Sequence, residues 1–396
     1  MKIGTTICEY NPFHNGHLYF LEQIKQELKP DAIAVIMSGN FTQRGQTAVM
    51  HKYARARHAI EAGADIVFEL PVAFATAPAE IFAKGAVKLL ASLKGEKTLC
   101  FGMESGTKES LMATAKALSD ETREFKAALK AELALGHPLA RARFNALEKI
   151  NPAGIDLSLA SAPNNMLALE YARAVIEGEY DMELMPVRRM GNGYSDSALK
   201  KGEYPSAFAV REAIASGKKK KALKFVPDYV YRDLPDVLPS ADGEVMTALS
   251  VKTKREMRKI VDCGEGLENR IKALLKDSFT REELLARLAT KRYTSTRLAR
   301  VTLAALLGTT ADETERYLKN DLYLKVLAIN AERRDLLSDI RGKTPFITRK
   351  SEADLLSGAA EDCFAADVFA NDIYNRVTKT KTNEYETLFV YPKLKK

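Results

Sequence analysis

Alternation between short apolar runs and helical patterns is the feature that most constrains the fold of this chain. Within the first hundred residues, four runs that are apolar on both faces are separated by segments with helical periodicity, at residues 3–8, 32–37, 66–70 and 99–101. Such runs are typical of parallel strands covered by helices on both faces. Because ligands bind past the carboxyl ends of such strands, the informative loops are those after residues 8, 37, 70 and 101.

The tetrapeptide His14-Asn15-Gly16-His17 follows the first of these runs and opens an amphipathic helix. A helix N-terminus carries unpaired N–H groups and a positive partial charge, so it attracts anions. Histidines three residues apart lie on one face of the first turn, and Gly16 lets a ligand approach the backbone. The strand, the glycine and the helix together predict a nucleotide phosphate site at His14 and His17.

Two other interpretations of the histidine pair stay open at this point. Two histidines on one helix are more often surface or packing residues than ligands. A zinc site is a weaker option, because the pair lacks the intervening Glu of a metalloprotease helix and no third ligand cluster is apparent.

The composition describes a globular chain without membrane or disulfide features. Its 396 residues suffice for two or three domains, and 46% of them are hydrophobic. No stretch reaches the apolar length of a membrane span and the first residues lead into a strand, so we expect neither a transmembrane helix nor a signal peptide. The four cysteines form no CxxC pair, which disfavours disulfides and zinc ribbons and fits a cytoplasmic location.

The full chain has a formal net charge of +8. Its basic clusters lie beyond the first half of the chain. Basic clusters occur at residues 218–221, 252–255, 292–297 and 393–396. A tetralysine is usually a solvated loop, but several such clusters, some interleaved with Tyr, also suit contact with an RNA backbone. The candidates for contact with RNA are Lys218, Lys219, Lys220, Lys221, Arg297 and Arg300.

The middle of the chain continues the α/β pattern. Residues 107–135 have a helical pattern, and Pro163-Asn164-Asn165 is expected to cap a helix over residues 166–177. Residues 183–187 form a further predicted strand that ends at Arg188-Arg189.

A boundary is predicted after Gly217, where the lysine cluster begins. Ser206 opens a short helix before it. We therefore expect an ATP-binding catalytic domain over residues 1–217 and a basic, mainly helical RNA-binding region over residues 218–396, with short strands near 324–329 and 344–348.

Several motifs carry a resemblance to a known family. The long ones read EYNPFHNGH at 9–17, MSGNFTQRG at 37–45, GADIVFELP at 63–71 and YTSTRLAR at 293–300. With Phe101-Gly102, Pro163-Asn164-Asn165 and Arg188-Arg189, they resemble the tRNA(Met) cytidine acetate ligase family over essentially the whole chain. HxGH alone would not separate this family from cofactor adenylyltransferases.

The resemblance implies a fold and a reaction. The fold is an α/β, Rossmann-like nucleotidyltransferase sheet of the HUP type, related to class I aminoacyl-tRNA synthetases and followed by a mainly helical C-terminal region. The implied enzyme is a ligase that joins acetate to ATP, which carries Mg²⁺, as acetyl-adenylate and pyrophosphate. The acetyl group then passes to N4 of the wobble cytidine, position 34, of elongator tRNA(Met), giving N4-acetylcytidine. No protein metal ligand is implied.

The resemblance also implies site residues, carried over by position. His14 and His17 would be catalytic and donate to phosphate oxygens. The ATP-binding residues would be Ile7, Cys8, Glu9, Tyr10, Asn11, Pro12, Phe13, His14, Asn15, Gly16, His17, Leu18, Tyr19, Phe20, Gly102, Asn164, Arg188 and Arg189. Without the resemblance, Gly102 would be a strand-end turn, Asn164 a helix cap and the arginines a surface pair.

The second phosphate signature of this superfamily is rich in Ser and Thr and closes with a basic residue. Residues 206–211 match it here, with Phe208 where a Thr is expected, so one phosphate hydroxyl is missing. Ser206 and Arg211 remain candidate pyrophosphate contacts.

Two rival functions accompany the ligase interpretation. One is a cofactor-type adenylyltransferase with the same HxGH site, which the long basic C-terminal half disfavours. The other is a non-catalytic RNA-binding protein, which the intact His14, Gly16 and His17 disfavour.

Overall fold

A single sheet organises the chain. The computed structural model describes residues 1–137, 139–189, 206–290 and 292–392. Within them, the sheet contains β1 (Lys2–Cys8), β2 (Ala32–Ser38), β3 (Ile66–Leu70), β4 (Glu96–Met103), β5 (Glu183–Arg188), β6 (Leu324–Asn330), β7 (Phe346–Ile347) and β8 (Leu388–Val390).

The strand order is β5-β4-β1-β2-β3-β6-β7, with β8 also paired to β6. The first five strands are mutually parallel, and β6 is antiparallel to β3. The predicted parallel sheet with flanking helices is thus confirmed. The fourth strand is longer than predicted because it begins at Glu96, which pairs with Lys2 at the start of β1.

Helices cover both faces of this sheet, and further helices pack in a separate cluster in the C-terminal half. They are α1 (Asn15–Gln23), α2 (Lys52–Glu61), α3 (Val72–Ala75), α4 (Ala79–Ala91), α5 (Lys108–Ser119), α6 (Arg123–Ala134), α7 (Leu139–Ile150), α8 (Pro163–Glu177), α9 (Ala207–Ala215), α10 (Asp228–Asp233), α11 (Asp242–Val251), α12 (Lys254–Lys259), α13 (Leu267–Leu274), α14 (Arg281–Leu288), α15 (Ser295–Leu307), α16 (Ala311–Lys319), α17 (Leu336–Asp339), α18 (Lys350–Ala353) and α19 (Gly358–Thr378). Among the described residues, no helix combines the length and apolar character needed to cross a bilayer.

The apolar residues of β2 explain why both faces are covered. Ala34 and Ile36 belong to one buried cluster, whereas Val35 and Met37 belong to another on the opposite face. Successive strand side chains point to opposite faces, so a run that is apolar throughout buries both. A third cluster holds α11–α15 together with part of α19.

Two helix predictions change in detail. The helical stretch 107–135 is divided into α5 and α6, because Glu121 adopts a φ of +40° and Thr122 caps the second helix through a bond from Phe125 N–H. The expectation that Asn164 caps α8 is wrong: Pro163 occupies the first helical turn, and the residue at the cap position, Ala162, offers no side-chain bond.

The C-terminal half contributes directly to the sheet. β6, β7 and β8 all lie beyond residue 217 and continue the sheet past β3. The division into regions 1–217 and 218–396 stays a prediction. The basic residues 393–396 lie outside the described part of the chain.

A buried ion cluster joins the C-terminal segment to this sheet. Lys52 Nζ, at the start of α2, lies 2.7 Å from Glu69 Oε2 of β3 and 2.6 Å from Glu384 Oε2. All three side chains are almost fully buried. Ionised groups removed from water require such pairing, so the cluster fixes the segment around Glu384 against the sheet.

Candidate nucleotide-binding site

A cavity of about 470 Å³ opens past the carboxyl ends of β1, β4 and β5. This is where parallel α/β sheets bind ligands. Of the predicted ATP and pyrophosphate contacts, the cavity is lined by Ile7, Cys8, Glu9, Tyr10, Asn11, His14, Gly16, His17, Tyr19, Phe20, Gly102, Asn164, Arg188, Arg189, Ser206 and Arg211. The structure therefore brings together residues that are far apart in the chain, and their contact with ATP stays a prediction.

His14 and His17 cap each other at the start of α1. Nδ1 of His14 accepts the Gly16 N–H at 3.0 Å, and Nδ1 of His17 accepts the His14 N–H at 3.2 Å. The two rings stack with centroids 3.7 Å apart. Because both Nδ1 atoms are acceptors, a neutral ring carries its proton on Nε2 in each case. The pair therefore offers two preorganised N–H donors.

Burial keeps these two rings neutral. It lowers the pKa of His14 to about 3, and the nearby Arg189 and Arg211 act in the same direction. Burial also lowers the pKa of His17 well below its usual value, with His14 and Arg189 adding to the effect. Neutral N–H donors that the fold already holds in place can bind phosphate oxygens with little reorganisation.

The remaining predicted residues of the first loop support the pair from outside the cavity. Phe13 is fully buried, with its ring centroid 5.4 Å from that of His17. Asn15 donates its backbone N–H to Phe225 O at 2.9 Å and its side chain to Lys224 O at 3.3 Å. Pro12 and Leu18 also lie outside the lining. Asn15 thereby places the segment after the lysine cluster directly beside the histidines.

Gly102 makes room for an arginine. A Cβ on Gly102 would lie 3.0 Å from Cγ and 3.2 Å from Cδ of Arg189. The Arg189 backbone N–H donates to Met103 O at 3.0 Å, which holds this residue at the end of the β4–β5 pair. The glycine therefore lets the arginine side chain cross the strand end into the cavity.

Asn164 and Asn165 bond to the loop after β4 instead of capping their own helix. The Asn164 side chain donates to Glu104 Oε1 at 2.5 Å. Asn165 accepts the Glu104 N–H at 2.8 Å and donates to Ser105 Oγ at 2.8 Å. This double connection holds the N-terminus of α8 against the strand end and leaves Asn164 in the cavity wall.

Residues 206–211, the segment predicted as a second phosphate motif, lie at the N-terminus of α9. Ser206 caps the helix by accepting the Ala209 N–H at 3.2 Å, and Arg211 Nη1 donates to Asn11 O at 2.6 Å. Phe208, in place of the expected Thr, lies with its ring 5.9 Å from the Arg211 guanidinium. The aromatic ring thus makes a cation–π contact with the arginine at the position where the superfamily signature has a Thr.

Arg55 fixes the loops that follow the first two strands. Its fully buried guanidinium donates to Glu9 O, Ser38 O at 3.1 Å and Gly39 O, and its Nε donates to Met50 O at 2.9 Å. These carbonyls satisfy a buried cation without a carboxylate partner. Sequence reasoning misses Arg55, since nothing in its local sequence distinguishes it from a surface helix residue.

The cavity wall also contains residues that the sequence does not assign to it. Gln43 and Arg44 come from the loop after β2, which the strand pattern marks as informative without indicating its contacts. Thr296 and Arg300 come from α15, and Arg300 is among the candidate RNA contacts. Arg300 Nη2 donates to Asp262 Oδ2 at 3.1 Å.

The other candidate RNA contacts lie outside the cavity. Arg297 pairs with Asp262 and Glu265, at 3.0 and 3.1 Å. Lys219 Nζ lies 2.9 Å from Asp236 Oδ1, whereas Lys218, Lys220 and Lys221 are exposed. Their role in RNA binding stays a prediction.

No metal centre is evident in the part of the chain that the structure describes, where no three His, Cys, Asp or Glu side chains converge. The four cysteines are free.

Comparison with known proteins gives a consistent result. The family model for HIGH Nucleotidyl Transferase matches residues 1–387. A protein from Caldicellulosiruptor saccharolyticus named tRNA(Met) cytidine acetate ligase is 35% identical over 361 residues, covering 88% of this chain and 87% of its own. One of the same name from Thermoanaerobacter sp. is 35% identical over 393 residues, covering 96% and 97%.

Two solved structures of Thermotoga maritima TmcAL share the fold. The apo form has a TM-score of 0.91 and 27% identity, covering 98% of this chain and 100% of that one. The form bound with alpha-thio ATP has a TM-score of 0.89 and 26% identity, with the same coverage. The chain therefore belongs to the HIGH nucleotidyltransferases and, within them, to the tRNA(Met) cytidine acetate ligase family.

Proposed function

We propose that this protein is an ATP-dependent ligase that acetylates N4 of the wobble cytidine of elongator tRNA(Met). The observation that carries the proposal is the pair of neutral histidines, whose Nε2–H groups share one cavity with Arg189 and Arg211. The names of the relatives and the ATP analogue bound to the Thermotoga maritima protein support the choice of substrates.

The first half-reaction forms acetyl-adenylate from acetate and MgATP. An acetate oxygen attacks the α-phosphorus, a new P–O bond forms, and pyrophosphate leaves. Acetate supplies the nucleophile, so the protein has only to hold the reactants and stabilise charge on the phosphates. His14, His17, Arg189 and Arg211 supply that stabilisation, and Asn164 and Ser206 add polar contacts.

The second half-reaction transfers the acetyl group to tRNA. The N4 amine attacks the acetyl carbonyl carbon, and AMP leaves. An amine held in a Watson–Crick pair is not free to attack, whereas a base in the anticodon loop splays out readily. Asn15 bonds to Lys224 O and Phe225 O, a few residues after the exposed Lys218, Lys220 and Lys221. An RNA backbone bound at these lysines would therefore bring a loop base towards the cavity.

The reaction can be followed in two assays with the purified full chain. Pyrophosphate exchange into ATP, with and without acetate, measures the first half-reaction. Mass spectrometry of nucleosides from reacted tRNA measures the second. We expect acetate-dependent exchange and N4-acetylcytidine at position 34. Acetate-independent adenylyl transfer to a mononucleotide would instead support a cofactor adenylyltransferase, and tRNA binding without either activity would support a non-catalytic RNA-binding protein.

The basic segment is tested by the salt dependence of tRNA binding. Replacing Lys218, Lys220 and Lys221 with Ala should flatten the plot of log affinity against log salt by about 0.7–0.9 for each phosphate that the variant no longer neutralises. The matched control replaces three exposed lysines of α5 and α6, namely Lys116, Lys126 and Lys130. Equal slopes for both variants would remove this segment from the proposed RNA surface.

A tRNA substrate assigns the reaction to the cytoplasm.

A further inference from the structure

Glu9 is the single carboxylate among the described residues that line the cavity. The same lining contains five arginines and two histidines, the arginines being Arg44, Arg188, Arg189, Arg211 and Arg300. A negative charge opposes the binding of a nucleotide triphosphate, whose own charges the arginines attract. ATP binding alone therefore does not explain a carboxylate at this position.

Hydrogen bonds hold both the side chain and the main chain of Glu9 in place. Its Oε1 accepts the Gln43 backbone N–H at 2.7 Å, and its main-chain carbonyl accepts a bond from Arg55. The residue follows directly on β1, at the strand end where the cavity opens. Because the Gln43 bond uses Oε1, the carboxylate retains a second oxygen with which to contact a substrate in the cavity.

The histidines, the Cys8 thiol and the buried tyrosines that share the cavity are unsuited to accept a proton. His14 and His17 use Nδ1 as backbone caps and carry their protons on Nε2. Burial raises the pKa values of the Cys8 thiol and the Tyr10 and Tyr171 hydroxyls, so all three stay protonated at neutral pH. Arginine does not lose its proton in proteins.

Transfer of the acetyl group requires a proton acceptor. The attacking N4 amine forms a bond to the acetyl carbonyl carbon, and the bond from that carbon to the phosphate oxygen of the adenylate breaks. AMP leaves with the bonding electron pair, and one N4 proton must be removed. We propose that Glu9 is the general base that takes this proton onto its carboxylate. The assignment rests on the proposed acetyl transfer.

The surroundings tune Glu9 for this task. Burial raises the pKa of its carboxyl, while the Gln43 N–H and the nearby arginines oppose the rise. A carboxylate with a raised pKa is a stronger base and works closer to neutral pH. The charged and titratable groups that face it are Arg44, Arg55, Arg211, Cys8 and Tyr171.

Glu9→Gln separates the chemical role from the structural one. The Gln amide oxygen can still accept the Gln43 N–H, but the side chain cannot take a proton. Because Glu9 also lines the nucleotide cavity, acetate-dependent pyrophosphate exchange serves as the reference measurement, and its change should be far smaller than the change in acetyl transfer. Single-turnover acetyl transfer from preformed acetyl-adenylate should fall by roughly 10²–10⁴, the usual contribution of a general base. The wild-type transfer rate should rise with pH as Glu9 deprotonates, and the variant should lack that rise.

Three outcomes would overturn the assignment of Glu9 as general base, and one control variant accompanies them. Transfer by Glu9→Gln at the wild-type rate, with the wild-type pH profile, would show that Glu9 only anchors the loop and would overturn the proposal. An equal decrease in exchange and transfer would also overturn it. Glu124→Gln, an exposed Glu on α6, controls for the removal of one negative charge and should leave both activities intact. Absence of transfer by the wild type itself would overturn the proposed function and this assignment together.

Discussion

Gly45 lies directly against the backbone of Ala299, which belongs to α15 far along the chain. A Cβ at Gly45 would sit 2.3 Å from the Ala299 carbonyl carbon, and the glycine has a φ of +72°. Arg281 Nη2 joins the two by donating to Gly45 O at 2.8 Å and to Ala299 O at 2.6 Å. This contact holds the loop after β2 against α15, which is how Arg44 and Arg300 come to line one cavity.

Gly45→Ala should therefore destabilise the protein by about 2–5 kcal/mol, because a left-handed φ and overpacking act together. Gly308→Ala is the matched control, since Gly308 has a φ of +75° but open space around a Cβ. That variant should lose only about 1–2 kcal/mol. Urea unfolding of both proteins measures the difference, and equal decreases would mean that the Ala299 contact relaxes without cost.

His14→Asn tests whether the histidine donates to phosphate or only caps the helix. Asn is a strong N-cap residue, so α1 should keep its stability. The variant lacks the Nε2 donor, and acetyl-adenylate formation should fall by about 10²–10³. Pyrophosphate exchange and thermal melting report the two properties separately. Normal pyrophosphate exchange by a stable His14→Asn variant would show that His14 acts only as a helix cap.

Gly102→Ala should displace Arg189 from the cavity. The new methyl group would meet the arginine stem at 3.0 Å, so we expect ATP binding to weaken about as much as in Arg189→Ala. Calorimetric titration gives both affinities. Gly243→Ala, on α11 with open space around its Cβ, should bind ATP normally. Unchanged ATP affinity in Gly102→Ala would indicate that Arg189 moves aside without consequence for the nucleotide.

Lys52→Met should cost about 3–5 kcal/mol of unfolding free energy, because it leaves Glu69 and Glu384 buried without their cation. The control is Lys319→Met, which breaks an exposed pair with Glu315 and should leave the unfolding free energy nearly unchanged, since water screens such pairs. Chemical denaturation compares them. If Lys52→Met lowers the unfolding free energy only slightly, Glu69 and Glu384 become protonated when their cation is removed.

Asp367 should make the protein less stable as the pH rises. Burial, and then Glu69, raise its pKa from 3.8 to about 7, while Tyr323 and the Val72 N–H bond to it. The folded state thus holds a proton that the unfolded state releases near pH 4, so this stabilisation is present below that pH and disappears as the pH rises through 7. The unfolding free energy of Asp367→Asn should fall less between about pH 5 and pH 8 than that of the wild type. If the unfolding free energies of the two proteins fall in parallel with pH, Asp367 does not cause the loss of stability.

Features determined by neighbouring residues are predictable from the sequence. The apolar runs predict five parallel strands, and the strand, the glycine and the helix around His14 predict its place at a ligand cavity. The cap prediction for Asn164 is wrong because cap preference is a local rule, whereas its actual partner, Glu104, lies 60 positions away.

Features that depend on distant packing are not predictable in this way. The run at residues 324–329 is recognisable as a strand, but nothing in it indicates that β6 pairs antiparallel with β3. Gln43 and Thr296 line one cavity because the loop after β2 packs against α15, where Gly45 lies against Ala299 in a contact without a local sequence pattern. The buried Arg55 is missed for the same reason, since its carbonyl partners come from two different loops.

The position of β6 beside β3 has a consequence for any attempt to dissect the protein. A fragment ending at residue 217 would leave the backbone N–H and C=O groups along the β6-facing edge of β3 without partners. Unprotected edges of this kind recruit strands from other molecules and aggregate. The same cut would also remove Glu384 from Lys52. The amino-terminal half thus carries most of the cavity, yet it depends on the end of the chain to stay in solution as a folded body.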